Sequence, residues 1–258
     1  MTTIDLKTQI ERSIMSFSQG NLRENGIRLL KSLGYSSDRQ VTIEPNTYAG
    51  FVEIHPPPAS INKKKALVEN WLSVDILLQL TGEDLKQMTQ GHLIFDKNRI
   101  DNQIIESYLF LAIELKPEDY SRTRLADITR EVNKFFAMPV MILFKYGEQL
   151  TLSIINRRLH KKDESKDVLE KVTLIKGINI KTPIRAHIEI LFDLSLSELA
   201  KASQMHSFVE LHRAWQKTLD ISELNKRFYR EIANWYFYAV EHVEFPKGTT
   251  EDRQTRNA

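Results

Sequence analysis

Apolar residues recur along this chain with two different periods, and the change of period marks out its elements. Ile10, Ile14 and Phe17 have helical spacing within Ile4 to Phe17. Leu22 to Leu33 repeats it with Ile27, Leu30 and Leu33, and Gly34 supplies a C-terminal stop. Val41 to Ile54 is mixed, with short β-like pieces. Pro56-Pro57-Pro58 is a rigid extended connector, because proline lacks the amide donor that regular structure needs. Lys63-Lys64-Lys65 opens a predicted helix from Ala66 to Leu80, with Leu67, Trp71, Val74 and Leu78 along one face. Those lysines read as a solvated helix start rather than a nucleic-acid patch. His92-Leu93-Ile94-Phe95-Asp96 is a short apolar stretch ending in an acid, and Lys97 to Glu106 reads as a turn region.

The period then changes. Tyr108-Leu-Phe-Leu-Ala-Ile-Glu-Leu-Lys116 is an almost unbroken apolar run, as expected of a strand covered on both faces. Thr123 to Phe136 returns to helical spacing through Leu125, Ile128, Val132 and Phe135. Pro139 to Phe144 predicts a second buried strand, and Tyr146-Gly147-Glu148 turns the chain into Leu150 to Ile155. Strand, helix, strand at this spacing predicts a crossover unit with parallel pairing, hence an α/β fold. Val172 to Ile175 and Gly177 to Ile180 add a further strand region. From Leu194 onward the pattern is helical, and Asp220 with Glu223 resembles a capping pair. Phe228, Tyr229 and Trp235 to Tyr238 span too wide an arc for one core face, which points to burial by a further segment or another chain.

Composition narrows the function classes. The 258 residues suffice for one large domain or a domain with an appendage. A formal net charge of +2 leaves any nucleic-acid role to local clustering. The absence of cysteine excludes disulfides and thiolate metal sites and fits a cytoplasmic protein. The first residues have no signal-peptide pattern, and no apolar run approaches the roughly 18 residues of a membrane span.

Chemistry concentrates on one triplet. An acid, any residue and a lysine occur at Asp5 to Lys7, Asp84 to Lys86, Glu114 to Lys116 and Glu164 to Lys166. Only the third lies on an apolar strand. Alternation puts Leu109, Leu111, Ile113 and Leu115 on one face, and Tyr108, Phe110, Ala112, Glu114 and Lys116 on the other. An acid and a lysine sharing a face at a strand exit can form a nuclease site of the PD-(D/E)xK kind. Two carboxylates would hold Mg²⁺ there, and the lysine would orient water and stabilise developing charge on phosphate. The second carboxylate should come from the preceding strand; Asp96 is the first candidate and Asp101 the alternative. The competing reading is that Glu114 and Lys116 pair with each other or with neighbours at the strand exit.

Arg122, Arg124 and Arg130 lie at the following helix, and Arg157 and Arg158 end a strand, with Lys161 and Lys162 beyond. These arginines are candidate phosphate contacts on double-stranded DNA; interleaved Asp127, Glu131, Asp163 and Glu164 allow ordinary surface pairing instead. His187, His206, His212 and His242 have no metal-site spacing, and no glycine-rich phosphate loop appears.

Longer strings carry a resemblance. Tyr108 to Lys116, Tyr120 to Arg130, Pro139 to Phe144, Ile155 to Arg158, Asp163 to Lys176, Arg185 to Leu191 and Leu224 to Tyr236 are similar to the N-terminal region of fused, type IIG-like restriction–modification polypeptides. These carry an adenine-specific DNA methyltransferase. The resemblance runs from about Tyr108 to the end. It implies a PD-(D/E)xK restriction-endonuclease-like mixed sheet flanked by helices over residues 1–200. Residues 201–258 would be a helical connector toward the methyltransferase. That domain, with its S-adenosylmethionine site and Asn-Pro-Pro-Tyr motif, is expected downstream, since the chain has neither motif. The expected function is a Mg²⁺-dependent DNA endonuclease module. The alternatives are an inactive nuclease-like domain that binds DNA or docks the methyltransferase, and a purely structural assembly domain.

Overall fold

A computed structural model describes residues 3–90, 106–158, 168–202, 207–219 and 221–242. The chain divides into two compact units, Met1–Gln216 and Lys217–Ala258.

The first unit is built on a mixed sheet. Helices α1 (Thr3–Met15), α2 (Leu22–Ser32), α3 (Tyr48–Ile54) and α4 (Lys63–Ala66) lead into strand β1 (Trp71–Thr81) and helix α5 (Gly82–Gln90). Strand β2 (Ser107–Leu115), helix α6 (Arg122–Asn133), and strands β3 (Val140–Tyr146), β4 (Gln149–Arg158) and β5 (Val168–Asn179) complete the sheet. Helices α7 (Arg185–Asp193), α8 (Leu196–Ala202) and α9 (Phe208–Thr218) follow, and α10 (Ile221–His242) belongs to the second unit. The five strands lie in sequence order. β2 and β3 are parallel, joined by the α6 crossover as the period change predicts, and the other three pairings are antiparallel. The protein is therefore α/β, a mixed sheet flanked by helices.

β2 is covered on both faces, which explains its unbroken apolar sequence. Leu109, Leu111, Ile113 and Leu115 pack with Leu125, Ile128 and Val132 of α6 in one core cluster. Ser121 caps α6 by accepting from Arg124 N at 3.2 Å, and Thr129 Oγ1 meets Ser153 Oγ of β4 at 2.6 Å. On the opposite face Tyr35 stacks on Phe110, and Gly26 of α2 sits where a Cβ would come within 2.8 Å of Leu77. Trp215 of α9 donates to the Tyr35 hydroxyl at 2.9 Å, and that hydroxyl donates to the Leu194 carbonyl. Burial of each such aliphatic side chain contributes roughly 1.5–3 kcal/mol, against about 0–1 kcal/mol for an exposed ion pair. The core thus positions the charged groups at its edge, rather than the reverse.

Two expectations are corrected. Most of the predicted Ala66 to Leu80 helix is β1. Leu67, Trp71, Val74 and Leu78 have helical spacing, but the segment pairs with β2 along its length. A register irregularity between Ile76 and Leu78 interrupts the two-residue alternation and leaves consecutive apolar positions buried. The β-like pieces within Val41 to Ile54 reduce to one bridge, Val41 to Ile76, and Tyr48–Ile54 forms α3 behind an N-cap at Thr47. Gly50 has no room for a side chain, since a Cβ would lie 2.1 Å from the Pro45 carbonyl oxygen.

In the second unit, α10 carries Tyr229, Trp235, Tyr236, Phe237 and Tyr238 exposed. The capping pair falls outside the described residues at Asp220. No described helix is long and apolar enough to cross a membrane.

Candidate functional site

Glu114 is the penultimate residue of β2, on the face opposite α6. In the parallel register its partner on β3 is Lys145, and the ammonium lies 2.5 Å from Glu114 Oε1. Both are partly exposed, so the pair opens to solvent. Lys116 stands just beyond the strand. Its amide donates to the Asn70 carbonyl at 2.9 Å and its carbonyl accepts from the Tyr120 hydroxyl at 3.2 Å. Its side chain is exposed and makes no ion pair with a described residue.

A carboxylate missed in the sequence completes the arrangement. Asp75 of β1 is opposite Ala112 in the antiparallel register, and Glu114 is two residues further along β2. Directly opposed residues share a face, so Asp75 and Glu114 are diagonal neighbours on one surface, roughly 7–8 Å apart at the backbone. Asp75 is buried, at 4% relative exposure. Asn46 Nδ2 donates to its Oδ2 at 3.4 Å. Burial raises its pKa above the usual carboxylate value, while Asn46 and the charge of Arg23 pull it down and the charge of Glu114 pushes it further up. Arg23, on α2, donates to Gln40 Oε1 at 3.2 Å, and its buried Nε has no hydrogen-bond partner. The signal for Asp75 was present: Ser73, Val74, Asp75 and Ile76 alternate polar and apolar as a strand edge does.

Asp96 and Asp101 lie outside the described residues, as does the triplet Glu164 to Lys166. The other two triplets have ordinary roles. Lys7 pairs with Glu189, and Asp84 bonds the Thr81 amide and hydroxyl at the start of α5. Among the described triplets, Glu114 to Lys116 is the one at a strand exit.

The arginines divide. Arg122 and Arg124 are exposed in the first turn of α6, which begins just past the end of β2. Arg122 Nη1 donates to the Leu174 carbonyl at 3.2 Å and so keeps its charge uncompensated by that contact. Arg130 pairs with Asp127 at 2.8 Å. Arg157 and Arg158 end β4, as expected from the sequence. His212 is held between the Tyr108 hydroxyl and Gln216, and burial lowers its pKa.

Comparison with family models, with curated proteins and with solved structures returns no match. The site must be read from its own groups. Among the described residues no cluster of three or more His, Cys, Asp or Glu side chains is placed to hold a metal ion. Two hard carboxylates nevertheless suit Mg²⁺, which commonly takes one or two protein carboxylates and completes its shell with water and phosphate oxygens. A cleft of about 480 Å³, lined by Lys31, Ser36, Ser37, Asp38, Asp84 and Met88 among others, opens at the far end of β1; none of the candidate residues lines it. The carboxylate pair lies away from that cleft, with Asp75 buried and Glu114 partly exposed at the end of β2.

Proposed function

We propose that this chain is the front module of a DNA restriction–modification polypeptide, with a PD-(D/E)xK-like unit that cleaves phosphodiester bonds. One observation carries the reading: Asp75 and Glu114 occupy one face of adjacent strands, directly before a helix and a parallel strand. Asp75 takes the role first given to Asp96, because it lies on the strand paired with the Glu-x-Lys strand. These two carboxylates would hold Mg²⁺, which when bound supplies positive charge to the scissile phosphate. Lys116 faces solvent, where an approaching phosphate would meet it. Arg122 and Arg124 at the N-terminus of α6 would hold flanking phosphates of double-stranded DNA, with affinity falling as salt rises.

The test is cleavage of duplex DNA by the full polypeptide with Mg²⁺. Asp75→Asn and Glu114→Gln should each lower the rate roughly 100-fold or more, the scale of losing one preorganised electrostatic group. Methylation by the downstream domain should persist. Unchanged cleavage in both variants would remove the assignment.

A second reading, an inactive nuclease-like module that binds DNA or docks the methyltransferase, draws on the Lys145–Glu114 ion pair, which already neutralises the acid. It predicts salt-dependent DNA binding with no Mg²⁺-dependent cleavage by any form of the protein.

A further inference from the structure

Lys145 was not singled out by any motif, yet it is the lysine that touches Glu114. The two are side-by-side partners in the β2–β3 register, and Nζ lies 2.5 Å from Oε1. Lys116, the lysine of the triplet, reaches no described carboxylate. Asp75, on the other side of Glu114, has an amide partner in Asn46 and no ion pair with a described residue. The strand order therefore places Glu114 between the Lys145 ammonium on β3 and the Asp75 carboxylate on β1. The side chains of Glu114 and Lys145 are 30% and 21% exposed, so an ion from solvent has access to the oxygen that Lys145 covers.

We propose that Lys145 is a positioning residue: the built-in counter-cation of Glu114, which a divalent cation has to displace before the Asp75–Glu114 pair can bind it. The inference rests on the nuclease-like reading of this pair. Lys145 fixes the Glu114 carboxylate from the β3 side when no metal is bound, and it sets the threshold for metal entry. A bound divalent cation would take the place of the ammonium at Oε1 and leave Lys145 free to turn toward solvent.

Charge decides the expected result. Replacing Lys145 with a neutral side chain leaves Glu114 without its ion-pair partner, and at short range in a partly buried site that change is worth about one decade in affinity. Mn²⁺ binding to the 258-residue chain is measured by electron paramagnetic resonance titration. Lys145→Met and Lys145→Gln should bind Mn²⁺ about tenfold more tightly than the unaltered chain, and Lys145→Arg should match it. Adding Glu114→Gln to either neutral variant should abolish the gain. Circular dichroism identifies a neutral variant that fails to fold, and the other then carries the comparison. Mn²⁺ bound only by the neutral variants, in a Glu114-dependent manner, also supports the displacement and favours the inactive form of the module. If Asp75→Asn abolishes Mn²⁺ binding by the unaltered chain while neutral variants bind no more tightly, the metal pair stands and the role of Lys145 falls. No Mn²⁺ binding in any form overturns both.

Discussion

Asp75 carries its charge against its surroundings. Burial disfavours the ionised form, Glu114 on the next strand repels it, and Asn46 with Arg23 only partly offsets both. Its pKa in the folded chain is therefore raised above the unfolded value. Between those two values the folded state binds more protons, so stability falls as pH rises through that window, and the full cost persists at neutral pH. Asp75→Asn should accordingly make the chain more stable than the unaltered one at pH 7, with the difference shrinking on acidification through the ordinary aspartate range. Urea unfolding at pH 7 and pH 3.5 checks this; a variant that is less stable at pH 7 would show that Asp75 is a structural anchor instead. Stabilisation together with lost cleavage is the behaviour of a residue kept for function. Half of this site was legible in the sequence. Glu114 stood out because it interrupts an apolar strand. Asp75 did not, because the alternation from Ser73 to Ile76 is only four residues long inside a run that also has helical spacing, and its neighbour Glu114 and partner Asn46 come from distant segments.

At the level of elements, α9 is docked on the sheet by a polar group inside an aromatic layer. His212 stacks with Phe208, their ring centroids 5.8 Å apart, and its two ring nitrogens meet the Tyr108 hydroxyl and Gln216 Nε2. Burial lowers the His212 pKa, so the folded state holds a neutral imidazole. Between the lowered value and the ordinary 6.5 the unfolded chain binds more protons. Stability is then fully present above the ordinary value and is lost as pH falls through the lowered one. His55 and His187, also lowered by burial, act in the same direction. Urea midpoints should therefore drop between pH 7.5 and pH 5 in the unaltered chain and drop less in His212→Gln; equal drops would show that α9 docking is indifferent to this proton. The crossover through α6 was legible because β2 and β3 are apolar on both faces while α6 is apolar on one. β1 was not. Past Ile76 its burial on both faces erases alternation, and helical spacing then arises from any dense apolar run.

At the level of the whole molecule, the sheet, the helices on both its faces and the candidate site all fall within Met1–Gln216. The aromatic helix α10 falls within Lys217–Ala258 and exposes Trp235, Tyr236, Phe237 and Tyr238. Large exposed aromatic surfaces contribute to association rather than to the stability of the chain that carries them. A chain ending at Thr218, where α9 closes, retains every strand pairing and the buried Trp215. Its thermal midpoint should lie within about 4 °C of the full chain, which for a domain of this size corresponds to roughly 1 kcal/mol. It should also elute as a smaller, less self-associating species in size-exclusion chromatography. On the proposed function, duplex DNA binding should survive the cut with the same dependence on salt, because Arg122 and Arg124 remain. A midpoint lowered by 10 °C or more, roughly 2.5 kcal/mol or above, would mean that residues beyond α9 help to hold the sheet unit. The role of α10 would then be structural within this chain, and its aromatic face would no longer be free to serve a neighbouring domain.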